Sequence, residues 1–167
     1  QTGDSLIATY DKGNVSNNTL HSIYPLDTNE SVSLYYLLGV INSKLLNWYY
    51  KIVNYLEVGK PMAEVKGIYI RKLPVATADI VIMESVEVYV KELMELCSRR
   101  YLTKQEFITF IINAYEPRKI SEQLDHFYDN SFKDFCVELK KQKVKLTASQ
   151  QMELLPLFDE RKKQISE

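Results

Sequence analysis

The spacing of the apolar residues changes at Pro74, and this change constrains the fold more than any other feature. Before Pro74 the chain mixes short β-prone segments, bounded by turn-forming residues, with one stretch of helical spacing. After it, apolar residues recur at intervals of three and four, as in the series from Val86 to Cys97. The sequence therefore predicts an α+β domain over residues 1–78 and an all-helical extension over residues 79–167.

The first domain is predicted to contain a small partial sheet. Residues 6–10 and 20–24 are β-prone segments on either side of a loop rich in turn-forming Asn, Asp, Ser and Gly, which is typical of a long-looped hairpin. A short strand is predicted over residues 68–73, and Pro74 ends it.

Helices account for the rest of the predicted structure. One long amphipathic helix is expected over residues 32–55, with a light interruption around Gly39 and Asn42 and with Trp48 among its apolar positions. In the last helix, Pro156 is expected to produce a kink or a restart. The helices predicted for the extension cover residues 86–100, 103–114 (with a capping box at Thr103 and Glu106), 120–128, 132–141 and 149–165 (with a capping box at Thr147 and Gln150).

Charge and composition exclude some classes of protein. Lys and Arg number 21 against 22 Asp and Glu, a net charge of -1, which excludes a histone-like protein but allows a local basic patch. No apolar run approaches the ~18 residues that span a bilayer. Cys97 and Cys136 have apolar neighbours and are predicted to be core residues of a reduced, cytoplasmic protein. Because the chain opens on Gln1, we expect it to be a piece of a longer polypeptide.

Catalytic motifs are missing from the sequence. The five Gly residues are too far apart for a phosphate-binding loop, and His21 and His126 have no Cys or His at the spacing of zinc ligands. A Glu-x-Lys pair at Glu64 and Lys66 matches only the tail of a common nuclease signature. We therefore predict no catalytic residue, metal or cofactor in this chain.

Two polar segments are candidates for binding. The first combines four basic residues and one aromatic residue with the single acid Glu64, and it contains Lys60, Lys66, Tyr69, Arg71 and Lys72. Such side chains can contact phosphates and base edges, although lysines also protect the exposed edge of a sheet. The second is the loop with Asn17 and Asn18, whose amides suit either adenine or a backbone turn.

A further run, LKKQKVK, supplies Lys140, Lys141, Lys143 and Lys145. It follows a predicted helix, where cations favour the negative end of the helix dipole. A solvated helix end is the simplest interpretation of this run.

Four segments resemble, in order, the target-recognition domain of TaqI-like adenine-specific DNA methyltransferases. They are QTGDSLIATYD, NNTLHSIYP, SLYYLLGVINSKLLNWYY and GIYIRKLPV, and they cover residues 1 to about 76. The segment that begins FYDNSFKDF is similar to the helical part that follows this domain in type IIG-like restriction–modification enzymes. The family usually has further strand before the position of Gln1.

The resemblance implies a function for the chain as part of a bacterial enzyme. An upstream methyltransferase domain of the same polypeptide would bind S-adenosylmethionine and carry an Asn-Pro-Pro-Tyr loop, which is missing here because the chain has no Pro-Pro pair. This chain would bind double-stranded DNA and position it while that domain flips and methylates the adenine. The implied DNA contacts are Lys60, Lys66, Tyr69, Arg71, Lys72, Asn17 and Asn18.

Two other functions are compatible with the sequence. A specificity subunit of a multi-subunit restriction system is disfavoured because no heptads are sustained for three or more repeats. A helical protein-interaction module would tolerate charge reversal at Lys66 and Arg71, whereas DNA recognition would not.

Overall fold

The computed structural model of the chain describes residues 5–11, 13, 20–24, 32–55, 59–60 and 65–167. Its elements are α1 (Leu34–Ile41), α2 (Lys44–Val53), α3 (Gly67–Ile70), α4 (Ile80–Tyr115), α5 (Glu122–Asp125), the 3-10 helix η1 (Phe127–Asp129), α6 (Phe132–Lys141) and α7 (Ala148–Ser166). No strand occurs within these ranges, so the predicted α+β fold with a small sheet is wrong.

The strand predicted at residues 68–73 is replaced by the single helical turn α3. A short run of apolar residues fits a strand or a buried helical turn equally well by periodicity alone. Here Val65, Tyr69, Ile70 and Leu73 all pack on one core, and their spacing of one, three and four is helical. Packing of one face against the core therefore decides the conformation.

The predicted hairpin is replaced by contacts between irregular backbone and side-chain amides. Leu6 N–H donates to Asn47 Oδ1 at 2.7 Å, and Ala8 N–H donates to Asn42 Oδ1 at 3.0 Å. Asn42 Nδ2 in turn donates to the Ala8 carbonyl at 3.0 Å. The two Asn side chains thus form hydrogen bonds with backbone groups that would pair with a neighbouring strand in a sheet.

Asn42→Ala is expected to release Ala8 from the helices, because it removes both hydrogen bonds to that residue. The loss should lower the free energy of unfolding by about 1–2 kcal/mol. Hydrogen exchange of the peptide that contains residues 5–11 measures the effect, and we expect it to exchange faster. Asn113→Ala, at an exposed position of α4, is the control. Equal exchange of this peptide in both variants would contradict the assigned anchor.

The predicted helix over residues 32–55 is divided into α1 and α2. Asn42 ends α1, and the Ser43 hydroxyl caps α2 by accepting a hydrogen bond from the Leu46 N–H at 3.1 Å. In α1, a Cβ on Gly39 would lie 2.9 Å from a methyl carbon of Val90, so glycine permits the close approach of α4.

The chain contains two compact units, unit 1 (Gln1–Leu93) and unit 2 (Met94–Glu167), and the boundary falls inside α4. The domain boundary between residues 78 and 79 stays a prediction. The core of unit 1 includes Leu6, Ile41, Leu46 and Tyr50. In the described ranges, no helix is both long and apolar enough to cross a membrane.

Unit 2 is built around an aromatic core. Four buried Phe side chains come from different elements, and they are Phe107 of α4, Phe127 of η1, Phe135 of α6 and Phe158 of α7. Their ring centroids lie 4.3 to 6.3 Å apart, which is the range of favourable aromatic pairs.

Several predictions for the second half can be checked against these helices. The range 132–141 is confirmed as α6, and the capping box of Thr147 and Gln150 is confirmed at the start of α7. The helix start at Thr103 is wrong, because α4 runs through it. Pro156 lies inside α7 and does not end it.

The two cysteines differ in their surroundings. Cys97 is exposed, so its predicted place in the core is wrong. Cys136 is half-buried on α6, and burial raises the pKa of its thiol.

Candidate nucleic-acid interface

Three of the predicted DNA contacts flank the short helix α3. Lys66 precedes its first residue as the N-cap, Arg71 is the C-cap, and Lys72 follows. All three side chains are exposed. One helical turn therefore presents Lys66, Arg71 and Lys72 to solvent, and we call them the α3 basic group.

Apolar residues of the same turn fix its position. Tyr69, Ile70 and Leu73 are half-buried and pack on the core of unit 1 that includes Tyr50 and Leu46 of α2. One side of the turn is apolar and the other is basic. Because the apolar side is packed on the core, the basic side faces solvent. The fold thus supplies a packed base for exposed cationic side chains.

His21 forms a second attachment near the start of α3. Its Nε2 lies 2.7 Å from the Val65 carbonyl oxygen. Because a carbonyl only accepts, Nε2 carries the proton in this contact. A Cβ on Gly67 would be 3.6 Å from the imidazole Cε1, so the ring also packs close to the first residue of α3.

The other predicted contacts have different surroundings. Lys60 is exposed, and Tyr69 packs on the core as described above. Asn17 and Asn18 lie outside the described residues. DNA contact by each of these residues stays a prediction.

Sequence reasoning missed an exposed face of α2. Leu45, Trp48 and Ile52 belong to the apolar spacing of the predicted helix, yet they are 73%, 61% and 51% exposed. Lys44 lies one helical turn before Trp48 and is also exposed. The signal was present in the sequence, because Lys44 and Lys51 stand seven residues apart and mark one side of the helix.

The α3 basic group and the exposed face of α2 offer chemistry for binding. The described residues contain no group of three or more His, Cys, Asp or Glu side chains that could hold a metal ion. The α3 basic group offers cationic donors, of which the Arg71 guanidinium suits bidentate contact with a phosphate or with guanine.

Comparison with family models assigns both halves of the chain. The model of the TaqI-like C-terminal specificity domain matches residues 1–75, and the model described as a domain of unknown function (DUF8810) matches residues 80–167. The chain belongs to the DUF8810 family, and its first 75 residues are a TaqI-like specificity domain. The resemblance found in the sequence is thus confirmed.

The α3 basic group therefore lies in the specificity domain, whose family implies recognition of DNA in restriction–modification. The DUF8810 match begins at the first residue of α4 and covers all the later helices. No curated protein and no solved structure matches the chain.

Proposed function

We propose that the specificity domain binds a particular sequence of double-stranded DNA and holds the duplex for an upstream methyltransferase domain of the same polypeptide. That domain would bind S-adenosylmethionine and methylate adenine. The whole enzyme would be a bacterial, cytoplasmic adenine-specific methyltransferase, alone or combined with a nuclease as in type IIG systems. The family match supports the DNA-recognition part of this proposal.

One structural observation carries the proposal, namely the exposed basic group on the anchored turn α3. Arg71 and Lys72 form no side-chain hydrogen bond or ion pair within the described part of the chain. Cations held near a rigid surface without acidic partners favour the phosphate backbone of DNA. The net charge of -1 predicts weak binding overall, because phosphate neutralisation supplies most non-specific affinity.

The double variant Arg71→Glu/Lys72→Glu tests the proposal. We expect it to lose selection of the site, to bind DNA more weakly, and to reduce the slope of log affinity against log salt by about 2, one for each lost phosphate contact. Fluorescence anisotropy with a random duplex pool, titrated at about 50 and 200 mM salt, measures both quantities. Sequencing of the bound fraction shows whether the chain selects a site.

Lys133→Glu/Lys163→Glu makes the same charge change at exposed positions of unit 2 and is the matched control. It should retain selection of the site. Two results would overturn the proposal: no binding of the unaltered chain at low salt, or unchanged selection after reversal at Arg71 and Lys72.

The exposed α2 face favours a second candidate function, a protein-interaction module. This face exposes the apolar side chains of Leu45, Trp48 and Ile52, which contact with DNA phosphates does not require. In that case the reversal at Arg71 and Lys72 changes no binding, and Trp48→Asp removes binding of the partner. Trp48 is the single Trp of the chain, so its fluorescence reports contact at this face directly.

A further inference from the structure

A second set of basic residues lies in unit 2, where the end of α4 meets the end of α6. The Arg118 N–H donates to the Gln142 carbonyl at 3.1 Å, which joins residues 116–119 to residues 138–145. These two stretches contain six Lys and Arg but two Glu, in a chain whose net charge is -1. All six cations are exposed, and Lys141 is paired with Glu138. We define the α6-end cluster by the other five, which are Arg118, Lys119, Lys140, Lys143 and Lys145.

The charge of the α6-end cluster is not neutralised within the described residues. None of its five side chains forms an ion pair or hydrogen bond there. Of the two acids in these stretches, Glu138 is buried and accepts from Lys141, which is outside the cluster. Glu116 is the remaining acid, so the cluster keeps a strong positive excess.

The backbone at Lys143 provides an independent observation. The Val144 N–H donates to the Leu139 carbonyl and the Lys143 N–H to the Lys140 carbonyl, which together form a Schellman motif. Lys143 takes the left-handed position of this motif, with φ 70°. Glycine is the usual residue there because a Cβ costs free energy.

The helix dipole accounts for only part of the α6-end cluster. Favourable interaction with the dipole falls off beyond the last turn, so it applies to Lys140 but not to Arg118, Lys119 or Lys145. Both Lys143 and Glu116, at the two helix ends, have left-handed backbone, with φ 70° and 46°. Backbone strain of this kind is often retained at functional surfaces, and here it lies among uncompensated cations.

We infer that the DUF8810 part of the chain contacts the phosphate backbone of duplex DNA through the α6-end cluster. The inference rests on the proposed function, because DNA held by the specificity domain is present at high effective concentration for the rest of the same chain. Lysines act on phosphates as point charges, so this contact adds affinity without reading sequence.

Two variants of the full chain test this inference. The probe is duplex DNA of non-specific sequence that is about three helical turns, or roughly 30 base pairs, long. Arg118→Glu/Lys143→Glu/Lys145→Glu should weaken binding about tenfold and reduce the salt slope by about 3. Lys143→Gly should reduce the slope by about 1 while it raises the melting temperature, because glycine relieves the left-handed backbone. A purely structural role for Lys143 would not give these opposite changes.

The control is again Lys133→Glu/Lys163→Glu, and circular dichroism checks that each variant is folded. An unchanged salt slope in the triple variant overturns the inference. If the triple variant instead loses binding to an acidic peptide or RNA but not to duplex DNA, the cluster has another partner and the inference is also overturned.

The same measurements separate this inference from the proposed function. Loss of site selection in Arg71→Glu/Lys72→Glu, with no effect of the triple variant, overturns the α6-end contact alone. The reverse result overturns the role of Arg71 and Lys72 but supports the α6-end contact. If the unaltered chain binds no duplex at low salt, both are overturned.

Discussion

Phe107→Ala is expected to lower the free energy of unfolding of unit 2 by about 3–5 kcal/mol, the usual effect of removing a buried phenyl ring. Phe107 is 1% exposed, and its ring centroid lies 4.3 Å from that of Phe127 and 5.7 Å from that of Phe135. Its removal leaves a cavity where α4, η1 and α6 meet. Domains of this size have a total stability of 5–15 kcal/mol, so the loss is a large fraction.

Hydrogen exchange followed by mass spectrometry measures this loss separately in the two units. We expect peptides of α6 and α7 to lose protection, while peptides of α1 and α2 in unit 1 keep theirs. Phe110→Ala is the matched control, because Phe110 stands one turn further along α4 and is 41% exposed. Unchanged protection of α6 and α7 in Phe107→Ala, or a loss no greater than in Phe110→Ala, would contradict the central role assigned to Phe107.

The two halves of the chain differ in how well their sequences predict the structure. In unit 2, the helical spacing and the side-chain caps act locally, and α6 and the capping box of α7 follow from them. The continuous helix α4 was missed because Thr103 and Glu106 satisfy a capping pattern that the longer helix does not use. Local signals predict helix type better than helix ends.

In unit 1, contacts between distant residues decide the structure. Asn42 and Asn47 bind the backbone of residues 6 and 8, which is more than thirty positions away, and no local pattern indicates this. Residues 68–73 form a turn because Ile70 and Leu73 reach the same core. Strand propensity is overridden by such packing.

The two candidate sites also differ in how much of each can be predicted from the sequence. Lys66, Arg71 and Lys72 were selected from local charge, and the structure brings them to one exposed turn. The lysines of the α6-end cluster are visible in the sequence as a run, but only the structure adds Arg118 and Lys119 to them. Arg118 is distant from Lys143 in sequence, and the two segments meet through one backbone hydrogen bond. The left-handed conformation of Lys143 has no sequence signal, since glycine is expected there.

A buried carboxylate makes the stability of unit 2 depend on pH. Glu138 is 6% exposed, and it accepts hydrogen bonds from Lys141 at 2.8 Å, Ser121 at 2.8 Å and Gln142 at 3.1 Å. The hydrogen bond from Lys141 lowers the pKa of Glu138, while burial opposes it and the other two donors add to the lowering. The carboxylate thereby links the cap of α5 to the end of α6.

Glu138→Gln should lower the free energy of unfolding of unit 2 by about 2 kcal/mol at pH 7, because an amide cannot replace the charged acceptor for three donors. Since the folded pKa is lowered, the contribution of Glu138 is fully present above the unfolded pKa of about 4.3 and is lost as pH falls through the lower folded value. Urea unfolding at several pH values should therefore show the unaltered chain and the variant converging in acid. Glu153→Gln, at an exposed position of α7, should show little difference at any of these pH values. A gap between Glu138→Gln and the unaltered chain that stays constant into acid would mean that the side chain acts through shape and not through charge.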